Sequence, residues 1–159
     1  MSFEPIYGPN SRALILGSWP SPKSWEEGFY YGHPRNRFWP LMAQLTQQEI
    51  PQDIPQKQQL ILQNGLALWD VLQSCTIQGA QDASIKDPVP VEIQRVIANA
   101  PIQAIFCNGA TAHQLYQRYL QPVTGIKAIK LPSTSPANAA FSLQRLADCW
   151  QPALAPWLP

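Results

Sequence analysis

Ala13-Leu14-Ile15-Leu16-Gly17-Ser18 is a short, unbroken apolar run that stops abruptly at a glycine and a serine. Three other runs are built the same way. Leu66-Ala67-Leu68-Trp69 precedes Asp70, Ala104-Ile105-Phe106-Cys107 precedes Asn108-Gly109, and Ile126-Lys127-Ala128-Ile129 lies just ahead of Pro132-Ser133. Apolar runs of about four to eight residues bounded by turn formers read as buried strands. Helical patterns separate them. Arg37 to Leu45 carries an apolar face with Pro40 in its first turn, where a missing N–H costs little. Gln58 to Gln63 stops at Asn64-Gly65. Asp87-Pro88 reads as cap and first residue of a helix continuing over Val91 to Ala98. Thr111 is expected to cap a helix reaching Tyr119, and Ser135-Pro136 to open a last one running to Trp150. Alternating strands and helices predict an α/β fold. The expected form is a three-layer α/β/α sandwich with a central, mostly parallel four-stranded sheet, in one domain over residues 1–159.

Composition narrows the function classes. The chain is 45% apolar and only 13% charged, with a net charge of +1. That balance excludes a high-affinity, non-specific DNA coat and leaves room for a few cations gathered around one cleft. Cys75, Cys107 and Cys149 lie far apart with no ligand spacing, so free thiols in a reducing cytoplasm are expected. An iron–sulfur or zinc site lacks ligands, and no cofactor is expected. No apolar run has the length of a membrane span, and the N-terminus carries no targeting pattern, so a soluble cytoplasmic protein is expected.

In parallel α/β sheets, ligands bind beyond the carboxyl ends of the strands. The run Gly28-Phe29-Tyr30-Tyr31-Gly32-His33-Pro34-Arg35-Asn36-Arg37-Phe38-Trp39 follows the first strand and belongs at that edge. It mixes aromatics, glycines, an imidazole, an amide and guanidinium groups. Such a mixture suits a flat aromatic ligand with an anionic tail, such as a nucleobase on its phosphates. Gly17-Ser18-Trp19-Pro20-Ser21 and Leu131-Pro132-Ser133-Thr134-Ser135-Pro136-Ala137-Asn138 have the same character.

Taken in order, these stretches resemble the uracil-DNA glycosylase superfamily, and most closely its hypoxanthine (deoxyinosine) branch. Mismatch-specific members follow the first strand with a Gly-x-Asn-Pro-type loop and then a Pro-x-Asn-x-Phe-Trp segment. Here these read Gly17 to Ser21 and His33 to Trp39, and Leu131 to Asn138 takes the place of the second, DNA-clamping motif. Two departures stand out. Trp19 replaces the catalytic asparagine of the first loop, and Leu131 replaces the histidine that serves uracil-specific enzymes. The resemblance therefore implies that Asn36 is the catalytic amide, and that hypoxanthine rather than uracil is the preferred base. It also implies DNA containing a deaminated base as partner and a monomeric enzyme without a metal.

The implied chemistry begins with flipping the nucleotide into a pocket, at a cost of roughly a few kcal/mol. Bond cleavage then develops positive charge on the sugar and negative charge on the departing base. An amide positions water and stabilises charge rather than deprotonating water. Asn36 also precedes a helix, so a helix cap is the alternative reading of the same residue. The expected base pocket comprises Gly17, Ser18, Trp19, Phe29, Tyr30, Trp69, Asp70 and Asn108. The expected DNA contacts are Ser21, His33, Arg35, Ser133, Thr134, Ser135 and Asn138, with the positive end of a helix behind the last loop. No lysine stands out as a Schiff-base nucleophile, so strand cleavage is not expected. The alternatives are a uracil, xanthine or mismatch glycosylase of broader specificity, a non-catalytic damage-binding module, and an enzyme acting on free nucleosides.

Overall fold

The computed structural model describes residues 3–19, 28–77 and 85–159. Its centre is a parallel sheet of β1 (Ala13–Gly17), β2 (Leu66–Asp70), β5 (Ala104–Asn108) and β6 (Ala128–Leu131), in the order β2-β1-β5-β6. β1 and β2 are buried at every position, and β5 at all but its last. Their unbroken apolar sequence is what a strand covered on both faces requires. The outer edge of β2 is covered as well: Ile6 exchanges two backbone hydrogen bonds of 2.9 Å with Leu68. That strap removes an exposed edge.

α1 (Phe38–Thr46) and α2 (Ile54–Gln63) carry the chain from β1 to β2, while α4 (Ala110–Tyr119) and the short α5 (Gln121–Thr124) carry it from β5 to β6. The two crossovers run in opposite directions along the sheet, so right-handed connections place their helices on opposite faces. The final helix α6 (Leu143–Leu154) packs against α1, where the Phe38 and Trp150 rings meet edge to face at 6.3 Å. The three-layer expectation holds.

Several local expectations do not. Asp87-Pro88 opens no helix. It lies in β4 (Ile85–Pro90), which pairs antiparallel with β3 (Leu72–Ile77) in a separate ribbon. Val91 N–H is committed to the Val71 carbonyl at 2.9 Å, which keeps the chain extended, and only α3 (Gln94–Ile97) turns helical. Proline is tolerated in a two-stranded ribbon because the ladder leaves unpaired N–H positions at an edge. β6 starts two residues later than expected. The Ile126 backbone is held by the Tyr116 and Thr124 hydroxyls instead of joining the ladder. The α4 cap is Gly109 rather than Thr111.

Ser135-Pro136 does not start the last helix either. That helix starts at Leu143, with the Ser142 hydroxyl accepting from Arg145 N–H at 3.1 Å. The carbonyls of Ser135, Asn138 and Phe141 are bound instead by the Arg37 guanidinium, which holds the segment as a loop. Ser142→Ala is expected to cost about 1 kcal/mol in urea unfolding. An unchanged midpoint would place the helix start elsewhere.

Candidate nucleic-acid site at the carboxyl edge of the sheet

β1 leads to its neighbour on one side and β5 to its neighbour on the other, so the strand order reverses between them. The crevice beyond their carboxyl ends is the usual ligand site of open α/β sheets. Gly17, Asp70 and Asn108 end β1, β2 and β5 there. The loop after β6 and the segment before α1 close over the same edge.

Asp70 is only 3% exposed, and its Oδ2 has no hydrogen-bond partner among the described residues. Burial pushes its carboxyl from an ordinary 3.8 up to about 7. The Tyr31 hydroxyl near it is likewise buried and makes no hydrogen bond of ordinary geometry among the described residues, although the Asn108 side chain comes close enough to act on it. Burial above all, and then the Asp70 charge, raise the Tyr31 phenol, with the Asn108 side chain opposing them. The reason for Gly17 is steric. A Cβ at this position would lie 2.5 Å from Asp70 Oδ1 and 2.8 Å from the Tyr31 hydroxyl. Ser18 and Trp19 follow it, both half-buried.

Tyr31 was not among the residues expected from the sequence. Its backbone is left-handed, at φ 54°, an uncommon conformation for a bulky residue. Its ring stacks on Phe38 at 4.2 Å. The neighbouring aromatics chosen on sequence grounds are packed inside. Tyr30 is 2% exposed, with its hydroxyl donating to the Glu4 carbonyl at 2.7 Å. Trp69 donates through Nε1 to the Phe3 carbonyl, and Phe29 stacks on Trp39. Three consecutive aromatics preceding Gly32 were the available signal. The left-handed turn at Tyr31 decides which of them faces the crevice.

A network of side-chain amides and one hydroxyl joins three segments at the site. Asn36 Oδ1 accepts from Phe38 N–H at 2.9 Å and from the Thr134 hydroxyl at 2.8 Å. Thr134 N–H donates to Asn108 Oδ1, and Asn108 Nδ2 donates to Thr134 Oγ1, both at 3.0 Å. Arg37 N–H adds a bond to the Thr134 carbonyl at 3.1 Å. Thr134 thus links Asn36 to Asn108, and it is buried rather than set among the expected DNA contacts. It is 0% exposed, so its side chain meets no phosphate. Ser133, Ser135 and Asn138 shape their own loop. Ser133 Oγ accepts from Ser135 N–H, Ser135 Oγ from Ala137 N–H, and Asn138 Nδ2 donates to the Ser133 carbonyl. Gly109 lets this loop approach, since a Cβ there would lie 3.1 Å from that of Ser133.

His33 Nδ1 accepts from Arg35 N–H at 3.0 Å, which turns the segment before Asn36, and the Arg35 side chain is exposed. Ser21 lies outside the described residues. Among the described residues, no three histidine, cysteine, aspartate or glutamate side chains are grouped to hold a metal. No helix among them is long and apolar enough to cross a membrane.

The profile of the uracil DNA glycosylase superfamily matches residues 4–154. The chain belongs to that superfamily. A hypoxanthine DNA glycosylase of Methanosarcina acetivorans is 32% identical over 152 residues, covering 94% of each chain. One from Methanosarcina barkeri is 32% identical over 139 residues, covering 86% of each. The solution NMR structure of a candidate uracil DNA glycosylase from Methanosarcina acetivorans superposes with a TM-score of 0.78 at 31% identity, over 95% of this chain and 93% of that one. A glycosylase of this superfamily acts on DNA, which agrees with a crevice edged by an aromatic ring, a buried carboxyl and an amide.

The Asp70 carboxyl takes up a proton on folding, because its pKa rises from 3.8 to about 7. The folded state therefore loses stability as pH rises through that window, and the loss is complete above it. Asp70→Asn removes the effect. Chemical denaturation at about pH 5 and about pH 8 should show the wild type falling relative to the variant by on the order of a few kcal/mol. Parallel profiles would contradict the burial argument.

Proposed function

We propose that this superfamily member is a monofunctional DNA glycosylase that flips a deaminated base, foremost the hypoxanthine of deoxyinosine, and hydrolyses its N-glycosidic bond. The observation that carries the reading is a pair of buried polar atoms, Asp70 Oδ2 and the Tyr31 hydroxyl, with no hydrogen bond of ordinary geometry among the described residues, at the sheet edge that also carries the Asn108–Thr134–Asn36 network. Orphaned buried polar atoms cost free energy unless a ligand completes them. A 6-oxopurine offers an N–H donor next to a carbonyl acceptor. A carboxyl titrating near neutrality accepts from the first in either state and, when protonated, also donates to the second. The relatives named as hypoxanthine DNA glycosylases support the same base. Leu131, which is buried and apolar, offers no counterpart to a histidine stabilising a uracil anion.

In this reading the Tyr31 ring, backed by Phe38, is the stacking surface for the extruded base. Such stacking is worth about 1–3 kcal/mol per base. Gly17 gives the base its approach, and Asn108 borders the pocket. Asn36 lies beside the bond that breaks, where charge leaves the sugar for the base. Hypoxanthine delocalises that charge well, so amide dipoles suffice without a protein nucleophile, and water adds to the sugar carbon while its proton passes to the departing base or to solvent. The exposed Arg35, with His33 and the loop of Ser133, Ser135 and Asn138, is proposed to lie along the phosphates. The enzyme works as a monomer without a cofactor, in the reducing cytoplasm that the free thiols of Cys107 and Cys149 suit.

Duplexes carrying deoxyinosine, deoxyuridine or neither test the reading, with alkali revealing abasic sites. Wild type should cut at deoxyinosine without nicking the strand before alkali. Asn36→Ala should lower the rate about 100-fold or more, as loss of a charge-stabilising donor does, with its thermal melt unchanged. Folded wild type that binds deoxyinosine duplex and releases no base would establish a damage-binding module instead.

A further inference from the structure

We infer that Thr134 is a positioning residue: its buried hydroxyl turns Asn36 so that the Nδ2 amide, and not the carbonyl oxygen, meets the reacting bond. The inference rests on the glycosylase reading and deepens it.

Side-chain amides look alike at either end, but here two backbone N–H groups settle both orientations. Phe38 N–H only donates, so the Asn36 atom facing it is the carbonyl oxygen. Thr134 N–H also only donates, so the Asn108 atom facing it is Oδ1, which leaves Asn108 Nδ2 to donate to Thr134 Oγ1. With that oxygen accepting from Asn108, its single proton goes to Asn36 Oδ1, 2.8 Å away. The two side-chain donors, Asn108 Nδ2 and Thr134 Oγ1, therefore both point toward Asn36.

Two consequences follow for the chemistry. An amide oxygen has two lone pairs, and those of Asn36 are taken by Phe38 and Thr134. It has no acceptor site left with which to hold an attacking water. No described residue accepts from Asn36 Nδ2, so this is the end available to the site. Its N–H bonds suit the negative charge that gathers on the departing base. Aligned hydrogen bonds also polarise one another. Donation into Asn36 Oδ1 draws electron density from Nδ2 and makes it a better donor at the moment the base leaves.

The network reaches across the fold, since Thr134 lies 98 residues from Asn36 and 26 from Asn108. Thr134 is fully buried and touches neither base nor phosphate. Its effect on the reaction therefore passes through the two amides it holds, and the proton of its hydroxyl goes to Asn36.

The test is single-turnover excision of deoxyinosine by wild type, Thr134→Val, Thr134→Ser, Asn36→Ala and the Thr134→Val/Asn36→Ala double variant. Thermal melts accompany the rates, as does binding to a duplex carrying non-cleavable 2′-fluoro-deoxyinosine. Thr134→Val should slow excision about tenfold, the worth of one buried hydrogen bond, with binding unchanged. Thr134→Ser should recover most of that loss. On the Asn36→Ala background, Thr134→Val should slow nothing further, because contacting residues that act as a unit are not additive. Asn36→Asp supplies an arm that leaves Thr134 intact. It keeps accepting oxygens and lacks N–H, so its rate should fall to that of Asn36→Ala.

The inference is overturned by wild-type rates in Thr134→Val, by an equal slowing on both backgrounds, or by near-wild-type excision in Asn36→Asp. These results leave the glycosylase reading standing. Wild type that leaves deoxyinosine intact ends that reading, and the inference falls with it.

Discussion

A single buried hydroxyl ties together two parts of the chain that the sheet alone would leave apart. Thr134, in the loop after β6, reaches Asn36, in the segment before α1, and is itself anchored to Asn108 at the end of β5. Next to Asn36, Arg37 binds the same loop through its guanidinium and its backbone N–H. The consequence reaches as far as secondary structure. With its carbonyls bound to Arg37, the segment around Ser135 cannot coil into a helix, and α6 waits for Ser142. Without these bonds the crevice would have a floor of strand ends and no walls.

The floor itself is arranged at a thermodynamic disadvantage. A carboxyl and a phenol are buried with polar atoms that find no hydrogen-bond partner of ordinary geometry among the described residues, and Tyr31 holds a left-handed backbone. Each feature destabilises the free protein. The surrounding core compensates for them: β1, β2 and β5 are buried almost throughout, and the Phe29, Tyr30, Trp39 and Trp69 rings pack behind the site. Unsatisfied groups gathered at one sheet edge, over an otherwise well-satisfied interior, are what a binding site for a polar, flat ligand requires.

The sheet was legible because three of its strands are buried on both faces and must read as continuous apolar runs. β6 was displaced by two residues because it is an edge strand, with Ile129 and Lys130 exposed, and its sequence carries a weaker signal. Asp87-Pro88 and Ser135-Pro136 have the same local chemistry as true helix starts. What overrides them is tertiary: pairing of the chain with β3 in one case and the Arg37 guanidinium in the other. At the candidate site, Gly17, Asp70 and Asn108 stand at the carboxyl ends of their strands, and Asn36 is joined to that edge through Thr134. Which neighbour faces inward was not legible. Tyr30 and Tyr31 differ by one backbone conformation, and Thr134 looks like a surface hydroxyl until the loop closes over it.

The central claim is that an extruded base sits over Gly17, against Asp70 and Tyr31, with Asn36 Nδ2 directed at its departing side. The most direct measurement is a crystal structure of the protein bound to duplex DNA carrying 2′-fluoro-deoxyinosine. The account predicts a flipped hypoxanthine in this crevice, Asp70 hydrogen-bonded to its 6-oxo edge, and the Asn108–Thr134–Asn36 chain intact. A base left in the helical stack, lodged outside the crevice, or met by Asn36 Oδ1 would contradict it.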